Sequence, residues 1–320
     1  MKRKYKLFLI FDLVFFCLAV LGFYYLVYRE KNLDAKQISE DSKVSAADKE
    51  FAVFQKAYPN VNFSLRYDEE SSDWILAVKS YGKTTEFFRC EGKYLTKENL
   101  PNKNHFWRVL YSYHRTLRDP DFNKKEDGLG IPVIREQEWA QIRKFSSASN
   151  RRNGTVLSKE IFNAIYDSRT RGSTEKHIKK ITLFGKPSRV HEMIIPALTR
   201  VEKKVYELSK TDKEVAEFLR TLESAQAYNW REIRDSNTRS FHSYGIAVDV
   251  LPRNWWPKIV YWGFERQKGN PNWMAIPLAK RWSPPKSVIK AFEDEGFIWG
   301  GKWILWDDMH FEYRPELSRN

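Results

Sequence analysis

Four residues in the last third of the sequence could do hydrolytic chemistry together. His242 and Asp249 stand in SFHSYGIAVD (240–249), and Asp307 and His310 stand in DDMHFEY (307–313). Alternation along an extended chain puts Ala247, Asp249 and Leu251 on one face and Ile246, Val248 and Val250 on the other. Asp249 is then a carboxylate inside an otherwise apolar strand, which is costly unless it is paired or bound to metal. His242 lies just before that strand and can return to the same end of it. His310 opens a second short apolar strand. Two imidazoles and one carboxylate suit a catalytic zinc, with a fourth position left for water. Asp307, three residues before His310, can reach that water as a general base. Its neighbour Asp308 points to the other side of a strand.

The elements that must hold these residues can be read from periodicity and punctuation. Ile194, Leu198, Val201, Val205 and Leu208 recur at helical spacing, as do Val215, Phe218, Leu219 and Leu222. AYNWREIR (227–234) and YGIAVDVLP (244–252) read as strands. WSPPKSVIKAFEDEGF (282–297) is a helix with Pro284-Pro285 at its start and Gly296 at its stop. KWILWDDMHFEY (302–313) is strand-rich, with Gly300-Gly301 as a tight turn before it. Upstream, DWILAVKSYG and KTTEFFRCEG alternate around Tyr81-Gly82-Lys83, a β-hairpin, and 119–153 reads as loops around short helices. Helices mixed with short strands, without regular βαβ alternation, give an α+β class. The Pro-rich segment 252–283, between the two candidate motifs, shapes a cleft or packs as a closed loop.

Composition narrows the function classes. The 320 residues carry 55 Lys+Arg against 41 Asp+Glu, a formal charge of +14, with 42% apolar residues. That is enough for a core and excludes wholesale disorder. Cys17 and Cys90 are the only cysteines, which excludes a disulfide framework and a Cys-rich zinc site. A metal must therefore be held by carboxylates and the six histidines, of which His105, His114, His177 and His191 read as ordinary polar residues and His191 as a helix cap.

Residues 1–29 read as a basic tip followed by a transmembrane signal-anchor, since 7–28 is almost wholly apolar with Asp12 as its single charge. Basic residues before the span favour a cytoplasmic N-terminus. A polar linker (30–50) then leads to an accessory region (51–180) and a zinc domain (181–320) on the periplasmic or extracellular side of the cytoplasmic membrane. That topology argues against nucleic acid as the acidic partner. Anionic head groups or an acidic wall polymer fit the charge better.

S-x-H-x-x-G-x-A-x-D (Ser240, His242, Gly245, Ala247, Asp249) followed by D-x-x-H-F-E (Asp307, His310, Glu312) resembles the D-alanyl-D-alanine carboxypeptidase family of zinc peptidases. That family includes vancomycin-resistance D,D-peptidases and L-alanyl-D-glutamate endolysins. The resemblance covers roughly 181–317 and implies a Hedgehog/D,D-peptidase fold: a small antiparallel sheet with flanking helices. It implies one zinc held by His242, Asp249 and His310, Asp307 as general base, and peptidoglycan stem peptides as substrate. An upstream arginine, Arg231 with Arg234 next and Arg239 also on offer, would stabilise the oxyanion or a substrate carboxylate. Ser240 would support the ligand or the substrate. Trp303 and Trp306 flank the site and could line a substrate groove, though Trp more often packs a core. The competing expectation is a non-catalytic zinc-containing module that binds wall or protein. Asp307 speaks against it, because a pure binding site needs no base.

Overall fold

A three-stranded antiparallel meander follows a helical stretch at 46–57. Its strands are β1 (Asn62–Asp68), β2 (Asp73–Ser80) and β3 (Lys83–Phe88). The structure, a computed structural model, describes residues 46–111, 113, 140, 147–234 and 236–318. The apolar run 7–28, His114 and most of the loop-rich 119–153 lie outside the described residues. Among the described residues no helix is long and apolar enough to cross a membrane. The β2–β3 hairpin falls where alternation places it. Tyr81 and Gly82 link the strands with φ of 48° and 74°, the left-handed pair that a two-residue turn of this twist requires.

Two small pairings follow. β4 (Phe106–Trp107) runs parallel to β5 (Val156–Leu157), and β6 (Ile178–Leu183) is antiparallel to β7 (Lys186–His191). Between them lies helix α1 (Glu160–Ile165), which buries Ile161, Phe162 and Ile165. Helix α2 (Ile195–Ser209) starts at Pro196, whose missing N–H costs nothing there, and buries Ala197, Leu198, Val201 and Val205. Helix α3 (Lys213–Thr221) is capped by Asp212, whose carboxylate accepts from the N–H of Glu214 and Val215.

The second sheet is antiparallel in the order β10-β11-β9-β8: β8 (Leu222–Gln226), β9 (Ala247–Pro252), β10 (Phe297–Trp299) and β11 (His310–Tyr313). Helix α4 (Lys286–Glu293) covers it with Val288, Ile289 and Phe292, and the Phe292 ring stacks on Phe311 at 4.0 Å. Gly296, at φ 88°, turns the chain from α4 into β10. The architecture is α+β, as the mixed pattern implies.

Two strand expectations need correction. The strand near AYNWREIR is Leu222–Gln226, and 227–231 is irregular, followed by one isolated bridge from Glu232 to Arg239. The alternating residues there pack onto rings instead: Arg239 lies over Trp230 and Arg189 over Tyr228. In KWILWDDMHFEY only His310–Tyr313 is strand, because Trp306 and its neighbours pack sideways into a separate cluster.

One core runs through the molecule from Phe54 to Phe311 and takes in Leu76, Phe87, Phe162, Val201, Val248 and Phe292. Residues of 51–180 and of 181–320 both fill it. Polar contacts also join the two: the Tyr58 hydroxyl donates to Glu316 Oε2 at 2.6 Å, and Tyr113 donates to Glu293 at 2.6 Å. The Pro-rich 252–283 segment builds a satellite core of Trp262, Trp273, Met274 and Ile276 with Trp306. Bridges from Ile259 to Arg281 and from Tyr261 to Asp307 fasten it.

Candidate metal centre

The β9–β11 register sets His310 directly opposite Asp249. Opposed residues of an antiparallel pair project from the same face, so two residues far apart in sequence share one spot. His242 reaches that spot from the tight turn Phe241–Tyr244. Ser240 caps this turn by accepting from the His242 N–H at 3.2 Å. Gly245 ends the turn at φ 70°, and a Cβ there would lie 2.8 Å from the His191 nitrogen, so only glycine fits.

The three side chains converge. His242 Nε2 lies 3.1 Å from His310 Nδ1 and 3.2 Å from Asp249 Oδ2, and His310 Nδ1 lies 2.8 Å from Asp249 Oδ1. Both rings are held from behind. The Ala227 carbonyl, 2.5 Å from His242 Nδ1, can only accept, so Nδ1 carries the hydrogen and Nε2 presents a lone pair. Glu312 takes the hydrogen of His310 Nε2 at 3.1 Å, which turns Nδ1 toward Asp249. Burial opposes charge on His310, but Asp249 and Glu312 overcome it and hold the imidazole protonated well above its ordinary range. Burial likewise works against the Asp249 carboxylate, and the His242 and His310 rings bring it well below its ordinary range. The cluster is thus built around a positive charge at its centre. A proton on Nδ1 supplies one; a divalent cation of tetrahedral preference fits the same three donors better, because the donor set is two nitrogens and one oxygen within 4.8 Å of one another.

Asp307 stands beside this cluster. Its carboxyl is pushed well above the usual range, first by burial and then by the Asp249 charge, with His310 and Arg231 pulling the other way. Its Oδ1 is enclosed and has no hydrogen-bond partner. A partner-less carboxylate oxygen next to a cation site is what a proton acceptor for an incoming water requires. Asp308 faces the opposite side, fully buried, and accepts both arms of Arg281 at 2.8 and 2.5 Å. Burial pushes its carboxyl up to about 6 although Arg281 pulls it down.

The remaining sequence candidates divide. Arg231 and Arg234 are both exposed, and both charges act on Tyr261, but Arg231 also acts on Asp307. Arg239 is taken up elsewhere, donating to Asn163 and to the Tyr244 hydroxyl. The Trp303 ring lies 5.4 Å from the His310 ring, at the edge of the cluster. Trp306 is 1% exposed, inside the satellite core and under Arg281, so it packs and presents no face to a ligand. His191 caps as expected, accepting from the Met193 N–H, and His177 sits between Glu192 and Asp167.

Sequence reasoning gave no role at the site to three contributors. Glu312 had a signal, being two residues after His310 and so on the same strand face. Gly300 lies so close to Asp307 that a Cβ would meet its carbonyl oxygen at 2.7 Å. Tyr261 pairs with Asp307 across an antiparallel bridge, and its ring lies over Gly263. Nothing in the local pattern of the Pro-rich segment marks it.

In comparisons with known proteins, residues 234–313 match a family model described as D-alanyl-D-alanine carboxypeptidase. Peptidases of this family act on peptidoglycan and depend on zinc. The matched stretch contains His242, Asp249, Asp307 and His310, and stops three residues short of Arg231. It spans a quarter of the chain, and supports a peptidase. Residues 50–111 match a domain family of unknown function. No curated protein and no solved structure matches the chain.

Proposed function

We propose that the chain is a zinc-dependent peptidase that hydrolyses peptide bonds in peptidoglycan stem peptides. The observation that carries this reading is the enclosed, partner-less Asp307 Oδ1 beside the His242–Asp249–His310 cluster. His242 Nε2, His310 Nδ1 and the Asp249 carboxylate would hold one zinc, which supplies Lewis acidity and lowers the pKa of water to about 7. Asp307 would take a proton from the attacking water and pass it to the leaving amine, and its Oδ1, which no other group engages, is free to receive that proton. Arg231, the nearer of the two candidate arginines in its effect on Asp307, offsets the negative charge that develops on the carbonyl oxygen. Glu312 and the Ala227 carbonyl keep the two rings oriented. The apolar run 7–28 anchors the chain in the cytoplasmic membrane with the site outside, where the stem peptides are.

Incubation of the purified chain with defined muropeptides, with and without zinc, tests the reading by mass spectrometry. Zinc-dependent cleavage is expected, lost together with bound zinc in His242→Ala, Asp249→Ala and His310→Ala. Zinc retained in two of the three sinks the ligand assignment. Wall binding without cleavage makes the protein a binding module.

A further inference from the structure

Beyond the peptidase centre, the Pro-rich segment carries an aromatic surface of its own. A groove of about 320 Å³ opens between Trp255, Trp256, Ile259 and Phe264, with Lys258 and Gln267 on its rim. Trp256 is 67% exposed and Phe264 38%, far more than two such rings need for packing. Trp255 and Trp256 meet edge to face at 84°, so neither ring stacks flat on the other. Lys268 is pinned by Glu265 at 2.7 Å and lies 6.0 Å over the Trp256 ring. Lys258 forms no ion pair among the described residues and adds an unbalanced positive charge. A line of ring contacts connects this groove to the reaction centre: Trp255 to Phe264 at 6.4 Å, Phe264 to Tyr261 at 5.5 Å, and Tyr261 across the bridge to Asp307.

We propose that this groove binds the amino-sugar chain to which the stem peptides are attached. The inference rests on the peptidase reading only for the choice of polymer. A pyranose ring has an apolar C–H face that can lie on an indole, and polar edges that need donors such as Lys258 and Gln267. The groove is concave, as a small-ligand site is, and the positive rim complements the carboxylates of a peptidoglycan strand. The ring contacts and the Tyr261–Asp307 bridge fasten the wall of this groove to the reaction centre, so a bound sugar chain would hold the peptide of the same polymer near the centre. The site would favour strand-attached peptides over free ones.

Calorimetric titration of the full chain with an N-acetylglucosamine tetramer, and with glycan strands stripped of peptide, tests the proposal. Binding to both is expected. Trp256→Ala should weaken it at least about tenfold, as loss of a central aromatic contact does. Turnover of a free, sugar-less peptide should be unchanged by that substitution, and the exposure of Trp256 leaves the fold intact. No binding by the parent chain, or equal binding by Trp256→Ala, overturns the proposal. So does loss, in Trp256→Ala, of binding to phosphatidylglycerol vesicles when neither sugar binds, which would make the groove a membrane contact. Neither sugar probe contains a stem peptide, so these outcomes leave the peptidase reading untouched.

Discussion

Asp307 and Asp308 are adjacent carboxylates whose replacement by asparagine should have opposite consequences. Asp308 is fully buried against Arg281, itself 3% exposed. Changing it to an amide removes the charge and turns one N–H group toward the guanidinium, so Arg281 keeps a single acceptor there and no counter-charge. A buried ion pair taken as a whole adds little, but deleting one half costs about 3–5 kcal/mol. At about 2–4 °C per kcal/mol this lowers the melting temperature by roughly 6–20 °C. Asp307 is the reverse case. Its Oδ1 bonds to nothing, and burial and Asp249 already disfavour its charge. Asp307→Asn removes that penalty, so the metal-free protein should melt no lower than the parent. Catalysis should fall at least about 100-fold, since an amide takes no proton from water. That is about 2.7 kcal/mol of lost transition-state stabilisation. Calorimetric melts in chelator, zinc content by mass spectrometry and turnover after reloading read all three quantities. If Asp308→Asn melts with the parent yet is inactive, while Asp307→Asn stays active, the base is Asp308 and the argument from partners is wrong.

Glu312→Gln keeps an acceptor for His310 Nε2 but loses the charge, and zinc affinity measured by competition with a chelator should drop about tenfold. An unchanged affinity would mean that Glu312 does not orient the ring. Gly300→Ala forces a Cβ against the Asp307 carbonyl oxygen; turnover should fall at least about tenfold with zinc retained. His191 is fully buried and burial pushes its imidazole down to about 4, so the unfolded chain takes up the proton first as the pH falls. Its contribution to stability is complete above about 6.5 and is lost toward pH 4, at up to about 1.4 kcal/mol per pH unit. Urea melts of the parent and of His191→Gln between pH 7 and 4.5 should differ in slope in that direction, and equal slopes would refute it.

The place of Asp249 in the His242–Asp249–His310 cluster was legible because a strand announces its two faces: one Asp among apolar residues has to face something polar. The helices at Ile195–Ser209 and Lys286–Glu293 were legible because 3.6-residue spacing, Pro starts and a Gly stop agree with one another. What failed were residues whose environment comes from elsewhere in the chain. Trp306 lies near the site in sequence, yet it is claimed by Trp262 and Trp273 of the Pro-rich segment. Tyr261 reaches Asp307 only through a bridge that no local pattern encodes. Asp308 reads only as a neighbour of Asp307 on the other side of a strand, until Arg281, 27 positions earlier, is brought to meet it.

The core shared by the first and last parts of the chain has a consequence for how the protein is made. Tyr58 donates to Glu316 across 258 positions of sequence. Synthesis runs from the N-terminus at about 5–20 residues per second, so Tyr58 waits on the order of tens of seconds for Glu316. Strands β2 and β3 are covered sooner, by α1, whereas Phe292 and Phe311 of the same core arrive only with α4 and β11. The nascent chain is therefore expected to engage a holding chaperone until α4 and β11 have been made. A chain stopped before β11 lacks the strand that sets His310 opposite Asp249, and leaves open a core meant to be closed from both ends.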